Sequence, residues 1–497
     1  MNFDLTAGRR VGPDLLVTLP VLLLVVFALP WIALRVAYQQ YVPLIVGVFI
    51  FADICFTFAW WRASVYMFAF YVLVEGFLIN AYAATALNLL KDAQLFLIFF
   101  RLALALVARR TFPIPYAGWV IPYLLFAMYY IAEIFNPLLP SILVGFIGAR
   151  VTLEFFLCFI VGYWFFDNRA QVIRFLRFHN LLSIPISAFG VLQYFTGPEL
   201  LLRISPGFER AIFYANDPKN PQAGYYFRTI STFASSAGLS QYLWVAALLS
   251  IALMLVATRP MDKWMARAAL LVQACATLST GGRGSFIMLF LCIFLGFWLM
   301  GRLRRAFLVT SLVTACLFVS VLFLGPVVEA RFASIFDLEM VRDRNMALAL
   351  GEFDASMGAP IVGLGAGMGC AASNRLETSK VDVVGSENQF ARIRNECGLA
   401  GLALFAAFTV ALFLETLRQT RRIYDPQLRT IGCLAATIPL ANILLFPIGQ
   451  PLDVPPLNFY FWFLLGLLVA LLRIQASEAA AGSQALPATR PRWSFAR

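Results

Sequence analysis

Three short stretches carry residue types that could handle a phosphate anion. Arg228 stands in YYFRTISTFASSAGLSQYL (225–243), just ahead of an apolar run. Arg283 stands in STGGRGSFIMLF (279–290), set among glycines at the junction of two apolar runs. Glu387 stands in GSENQFARIRNECGLAGLALF (385–405), ahead of a third. A guanidinium is a rigid fork of N–H donors, and glycine leaves neighbouring backbone N–H groups open, so a glycine-flanked arginine suits a phosphate or diphosphate oxygen. A carboxylate at a helix start stays ionised and can accept a hydroxyl proton as a weak base. Plainer explanations exist for each. Long translocated loops escape the usual charge bias, which discounts the loop residues Arg331, Arg342, Arg344, Arg375, Lys380, Arg392 and Arg394. Glu387 could serve only as a helix-dipole partner, worth about 0.3–1 kcal/mol. Arg283 is harder to dismiss, because a neutral residue would be cheaper in so short a turn.

The elements that must position these residues are membrane spans. The chain has 497 residues, 61% hydrophobic and 13% charged, with a mean hydropathy of +0.81. A soluble surface cannot be built from that composition. Continuous apolar runs of membrane length, without strand-like alternation, predict an all-α polytopic membrane protein of about 12–14 transmembrane helices. The spans are read as 15–37, 42–60, 64–82, 85–107, 114–134, 141–166, 179–196, 236–257, 265–280, 284–300, 305–325, 397–415, 431–447 and 458–473. The first is too long for a signal peptide's apolar region and has no evident cleavage site. Basic short loops alternate with uncharged or acidic ones such as NPLLP (136–140) and GQPLDVPPLN (449–458). The positive-inside rule then places both termini in the cytoplasm. The organisation expected is a cytoplasmic N-terminus (1–14), a transmembrane bundle (15–325) with a periplasmic segment (197–235), a large periplasmic loop (326–396), further transmembrane helices (397–473) and a cytoplasmic tail (474–497). Beyond Ala476 the tail reads as disordered. The net charge of +12 lies in short loops and serves orientation, not nucleic-acid binding.

Smaller features narrow the chemistry. Eight cysteines without a CxxC pair and a single histidine, His179, exclude the usual zinc and haem patterns, and no cofactor is expected. Cys370 and Cys397 fall on the oxidising side and could form a disulfide. Asp53, Glu75, Lys91, Asp92, Arg101, Arg150 and Glu154 lie within apolar runs, and Arg150 and Glu154 have the i,i+4 spacing for a pair within one helix. GLGAG (363–367) lacks the preceding strand of a nucleotide fingerprint and reads as a tight loop. SENQ (386–389) has capping-box spacing. It predicts Ser386 as N-cap, Glu387 in the first turn, and Glu387, Phe390 and Arg394 on one face.

The order of these motifs resembles the O-antigen ligase/polymerase superfamily of bacterial envelope glycan enzymes. It comprises an arginine before STF and a span, a TG-R-G turn, a large outer loop, P-x-x-GLGAG, then EN-Q…E-x-GLAGL. The resemblance covers roughly 225–410. It implies a GT-C-like membrane glycosyltransferase that moves a glycan, without a metal, from an undecaprenyl-diphosphate carrier at the periplasmic face of the inner membrane. It also implies roles: Arg228, Arg283 and Glu387 catalytic, with Arg331, Arg344, Asn388, Arg392 and Arg394 binding substrate. Where many relatives carry HN, this chain has Glu387–Asn388, and His179 falls on the other side. That favours a polymerase making exopolysaccharide, capsule or O-antigen over a ligase acting on lipid A-core. A lipid-linked glycan transporter is the third reading, disfavoured by the absence of paired broken-helix repeats. The partners implied are membrane lipids, a chain-length regulator and export machinery.

Overall fold

A computed structural model describes residues 41–82, 87–111, 114–209, 211–212, 227–324, 338–370 and 386–484. The expected span 15–37, the N-terminal segment and Arg331 lie outside the described residues, and of Arg283 and Arg344 only the backbone is described. Among the described residues every regular element is helical, and seven helices are long and apolar enough to cross a membrane. Three shorter apolar helices accompany them.

The chain divides into two units, one of residues 1–71 and 88–114, the other of 72–87 and 115–497. The first holds α1 (Tyr41–Ala59), the start of α2 (Trp61–Tyr82) and α3 (Leu87–Ala108). Several of its polar groups pair internally, as an apolar surrounding favours, although the buried Asp53 Oδ1 and Gln94 Nε2 atoms have no hydrogen-bond partner among the described residues. Thr57 and Ser64 share a 2.8 Å hydrogen bond, Arg101 donates to the Phe58 carbonyl at 3.0 Å, and Lys91 pairs with Asp92 at 3.0 Å.

The second unit contains the remaining helices. They are α4 (Val120–Ala132), α5 (Ile142–Leu153), α6 (Phe156–Phe165), α7 (Arg169–Thr196), α8 (Glu199–Ile204), α9 (Ser236–Val256), α10 (Pro260–Ser279), α11 (Arg283–Leu299) and α12 (Leu303–Leu324). After them come α13 (Leu338–Met346), α14 (Glu352–Met357), α15 (Gln389–Arg422), α16 (Pro426–Leu445) and α17 (Leu457–Gln484). At the centre, α6 and α17 approach backbone to backbone. A Cβ on Gly162 would stand 2.5 Å from the Phe463 carbonyl oxygen, so only glycine permits the contact. Between α7, α9 and α10, Gln273 bridges Ser183 at 2.8 Å and Ser250 at 3.1 Å. Arg150 and Glu154 pair at 3.5 Å, as their spacing predicts.

Three boundaries differ from the sequence reading. NRAQVIRFLRFHN (168–180), expected to be a basic loop, is the first part of α7: Asn168 caps it by accepting from the Gln171 N–H at 2.9 Å. Of its three arginines, Arg174 is exposed and the other two meet carboxylates. Arg169 contacts Asp425 at 2.9 Å and Glu478 at 2.7 Å, and Arg177 contacts Asp262 at 2.7 Å. α17 continues past Ala476 to Gln484, where disorder was expected, and the Arg169–Glu478 bridge lies on that extension; residues 485–497 lie outside the described residues. The span expected at 397–415 is part of a longer helix, α15, which starts at Gln389 inside the expected outer loop.

Candidate functional site

The Arg228 segment and the Arg283 turn meet at one end of the second unit. Thr229 N–H donates to the Ser279 carbonyl at 3.4 Å, and the Thr229 and Ser279 hydroxyls lie 2.9 Å apart. The half-buried Arg228 donates its Nε–H to the Thr280 carbonyl at 3.1 Å, three residues before Arg283. The segment is rigidly held. Gln193 accepts from Ile230 and Ser231 N–H, and the Ser231 hydroxyl donates to the Ile186 carbonyl at 2.6 Å, which stabilises a left-handed φ of 50° at Ser231. Gly281, with φ of 60°, turns the chain into α11, and Gly282 is its N-cap. Arg283 is therefore the first residue of α11, where the unpaired N–H groups of a 17-residue helix add positive potential.

The Glu387 segment gathers at the same end through two turns. A Cβ on Gly282 would stand 2.5 Å from the Ser240 hydroxyl, near the start of α9. One on Gly238 would stand 3.5 Å from the Pro455 carbonyl, in the turn joining α16 to α17. From that turn Gln450 hydrogen-bonds the Ser386 carbonyl.

Here the capping expectation is corrected. Asn388, not Ser386, is the N-cap: its Oδ1 accepts from Phe390 and Ala391 N–H at 2.9 and 3.1 Å. Ser386 instead donates to Glu352 at 2.7 Å, and Glu352 also accepts the Asn388 N–H at 2.8 Å. The Asn388 amide donates to the Leu348 and Ala349 carbonyls, in a π-turn (Ala347–Gly351) after α13. Glu387 thus precedes the N-cap, outside the first helical turn, and is exposed. Tertiary partners from residues 348–352 override the local capping-box pattern.

Arg392 and Arg394, expected to bind substrate, face inward. Arg392 is wholly buried between two carboxylates, Glu396 at 3.1 Å and Asp453, and donates to Thr152 at 2.7 Å. Glu396 also accepts from the Tyr130 hydroxyl at 2.5 Å and the Gly369 N–H at 3.0 Å. Asp453 lies in the α16–α17 turn. Burial pushes its pKa up to about 6, against the opposing pull of Arg392. Arg394 donates to the Ala359 and Pro360 carbonyls at 2.9 and 2.8 Å.

These contacts explain the glycine-rich loop. α15 breaks at Gly398, which adopts φ 65°. The break frees the Asn395 and Glu396 carbonyls, and Leu364 and Gly365 N–H take them at 2.7 and 2.9 Å. Leu399 N–H in turn reaches the Ile361 carbonyl at 2.9 Å. Gly363, Gly365 and Gly367 all have left-handed φ, so the loop can follow the broken helix closely. Cys370 and Cys397, which could have formed a disulfide, are buried free thiols here. Sequence reasoning missed Glu352, Glu396, Asp453, Tyr130 and Thr152. The available signals were the glutamate of E-x-GLAGL, which is Glu396, and the single carboxylate in GQPLDVPPLN, which is Asp453.

Among the described residues no group of three or more His, Cys, Asp or Glu side chains could hold a metal. His179 is buried against Tyr242 and Tyr460, with ring centroids 5.7 and 5.4 Å away. Comparison with known proteins finds no matching family model and no matching curated protein. The class defined by fold alone is an α-helical, membrane-embedded protein.

Proposed function

We propose that this chain is a GT-C-like membrane glycosyltransferase of about 12–14 spans that joins undecaprenyl-diphosphate-linked oligosaccharide units into a surface polysaccharide. On this reading the site faces the periplasm, both termini lie in the cytoplasm, and the expected outer loop covers the site. The observation that carries the proposal is the Arg228 hydrogen bond to Thr280, which draws two arginine positions from separate segments to one glycine turn and helix N-terminus. Such an arrangement favours a doubly charged linkage. The motif order of residues 225–410 supplies the substrate class.

In the proposed reaction an acceptor sugar hydroxyl attacks the anomeric carbon of the carrier-linked glycan. The bond from that carbon to the diphosphate oxygen breaks, and undecaprenyl diphosphate leaves. Glu387 receives the hydroxyl proton, while Arg228 and Arg283 stabilise the charge gathering on the leaving diphosphate. Arg392 and Arg394 act by shaping the start of α15, since their guanidinium groups bond within the protein.

Reconstitution tests this. Purified protein in liposomes with carrier-linked repeat units should give a ladder of lengthening products on a gel. Arg283→Ala should abolish the ladder while the protein still inserts and unfolds at the wild-type temperature. A wild-type ladder from that variant would remove the catalytic role. Carrier translocation without elongation would instead support a transporter.

A further inference from the structure

The end of the bundle opposite Arg283 carries a second cationic feature. The turn from α11 to α12 reads GRLRR (301–305), with Arg302, Arg304 and Arg305 all exposed. The turn itself forms an open depression lined by Gly301, Arg302, Leu303, Arg304 and Arg305. Another guanidinium stands at the same end: α16 packs on α11, where a Cβ on Gly296 would lie 2.8 Å from the Leu434 side chain, and Arg429 is exposed near the start of α16. Among the described residues none of these four arginines forms an ion pair. The nearby carboxylate is Asp425, whose Oδ1 caps α16 and whose Oδ2 pairs with Arg169.

A side bias of basic residues accounts for arginines in a turn. It does not account for a fourth exposed guanidinium brought to the same end by a second packed helix, an accumulation of like charge that favours a bound anion. The nature of the anion follows from the neighbouring surface. Phe294 and Trp298 of α11 and Phe307 and Leu308 of α12 are 37–70% exposed, and the Phe294 and Phe307 rings lie 5.8 Å apart. This apolar strip runs directly from the arginines along two adjacent helices. A soluble phosphate would engage only the arginines, whereas an anionic diacyl lipid matches both the arginines and the strip that continues from them.

We propose that the α11–α12 turn is a binding site for an anionic phospholipid, its phosphodiester held by the turn arginines and Arg429 and its acyl chains laid along the apolar strip. Basic recesses between helix ends hold anionic headgroups in this way. The site lies at the other end of the bundle from the proposed catalytic residues and does not depend on the activity assigned to them.

Native mass spectrometry of the full-length protein, titrated with phosphatidylglycerol, phosphatidylcholine or inorganic phosphate, tests the assignment. Wild type should bind phosphatidylglycerol at least about tenfold more tightly than phosphatidylcholine. Arg302→Gln/Arg304→Gln/Arg305→Gln should erase that preference, and Arg429→Gln alone should reduce it about fivefold. Arg429 is exposed, so its single variant keeps the test open if the triple variant misfolds. Equal wild-type affinity for the two lipids, or an undiminished preference in the variants, would overturn the proposal. Displacement of phosphatidylglycerol by an equal concentration of inorganic phosphate would overturn it too, by assigning the site to a soluble anion.

Discussion

Replacing Arg392 by methionine would leave two carboxylates in the protein interior with unequal support. Glu396 would keep the Tyr130 hydroxyl and the Gly369 N–H. Asp453 would keep nothing: its Oδ2 bonds Arg392, and its Oδ1 has no hydrogen-bond partner. Removing one side of a buried ion pair costs about 3–5 kcal/mol, most of it from stranding the remaining charge. Arg392→Met should therefore lower the unfolding temperature strongly, and adding Asp453→Asn should restore much of the loss. The coupling should exceed about 1 kcal/mol, as for groups in one network.

The pH dependence has a definite sign. Asp453 has its folded pKa raised from 3.8 to about 6 by burial. The folded state therefore binds the proton more tightly than the unfolded chain. Stability from this group is fully present below about pH 4 and is lost as pH rises through about 6. Two units correspond to about 3 kcal/mol at 1.36 kcal/mol per unit. Tryptophan-fluorescence melting of wild type and Asp453→Asn from pH 4 to pH 8 would read it. Wild type should lose stability relative to the variant across that interval. A difference that stays flat, or additive losses in the double variant, would refute the coupled arrangement of Arg392 and Asp453.

Two further variants probe the start of α15. Gly398→Ala should cost about 3 kcal/mol or more through left-handed strain and a clash, since the added Cβ would lie 2.0 Å from the Ile361 carbonyl oxygen. Its melting temperature should fall well below that of Gly284→Ala, where a Cβ meets nothing. Asn388→Ala should cost about 1 kcal/mol for the lost cap, and more for the carbonyl contacts at 348 and 349, measured as earlier amide exchange in residues 389–392.

Much of the helical layout was readable because apolar runs of membrane length leave few alternatives. The tight glycine loop at 363–367 was readable for a similar local reason. What escaped was decided by distant partners. Arg169 and Arg177 look like loop residues until Asp425, Glu478 and Asp262 are brought beside them. Ser386 has the spacing of a cap, but Glu352 and Gln450 draw it elsewhere and give the role to Asn388. Arg392 and Arg394 look like free cations in a polar loop. Their partners lie on α5, the 359–360 turn and the α16–α17 turn, and no local pattern announces them.

The proposed chemistry requires the Arg228 segment and the Arg283 turn to act on one diphosphate. Affinity of the purified protein for polyprenyl diphosphate against polyprenyl monophosphate measures this without any turnover. Wild type should prefer the diphosphate, and Arg228→Ala and Arg283→Ala should each remove most of that preference. A preference unchanged in both variants would contradict the account.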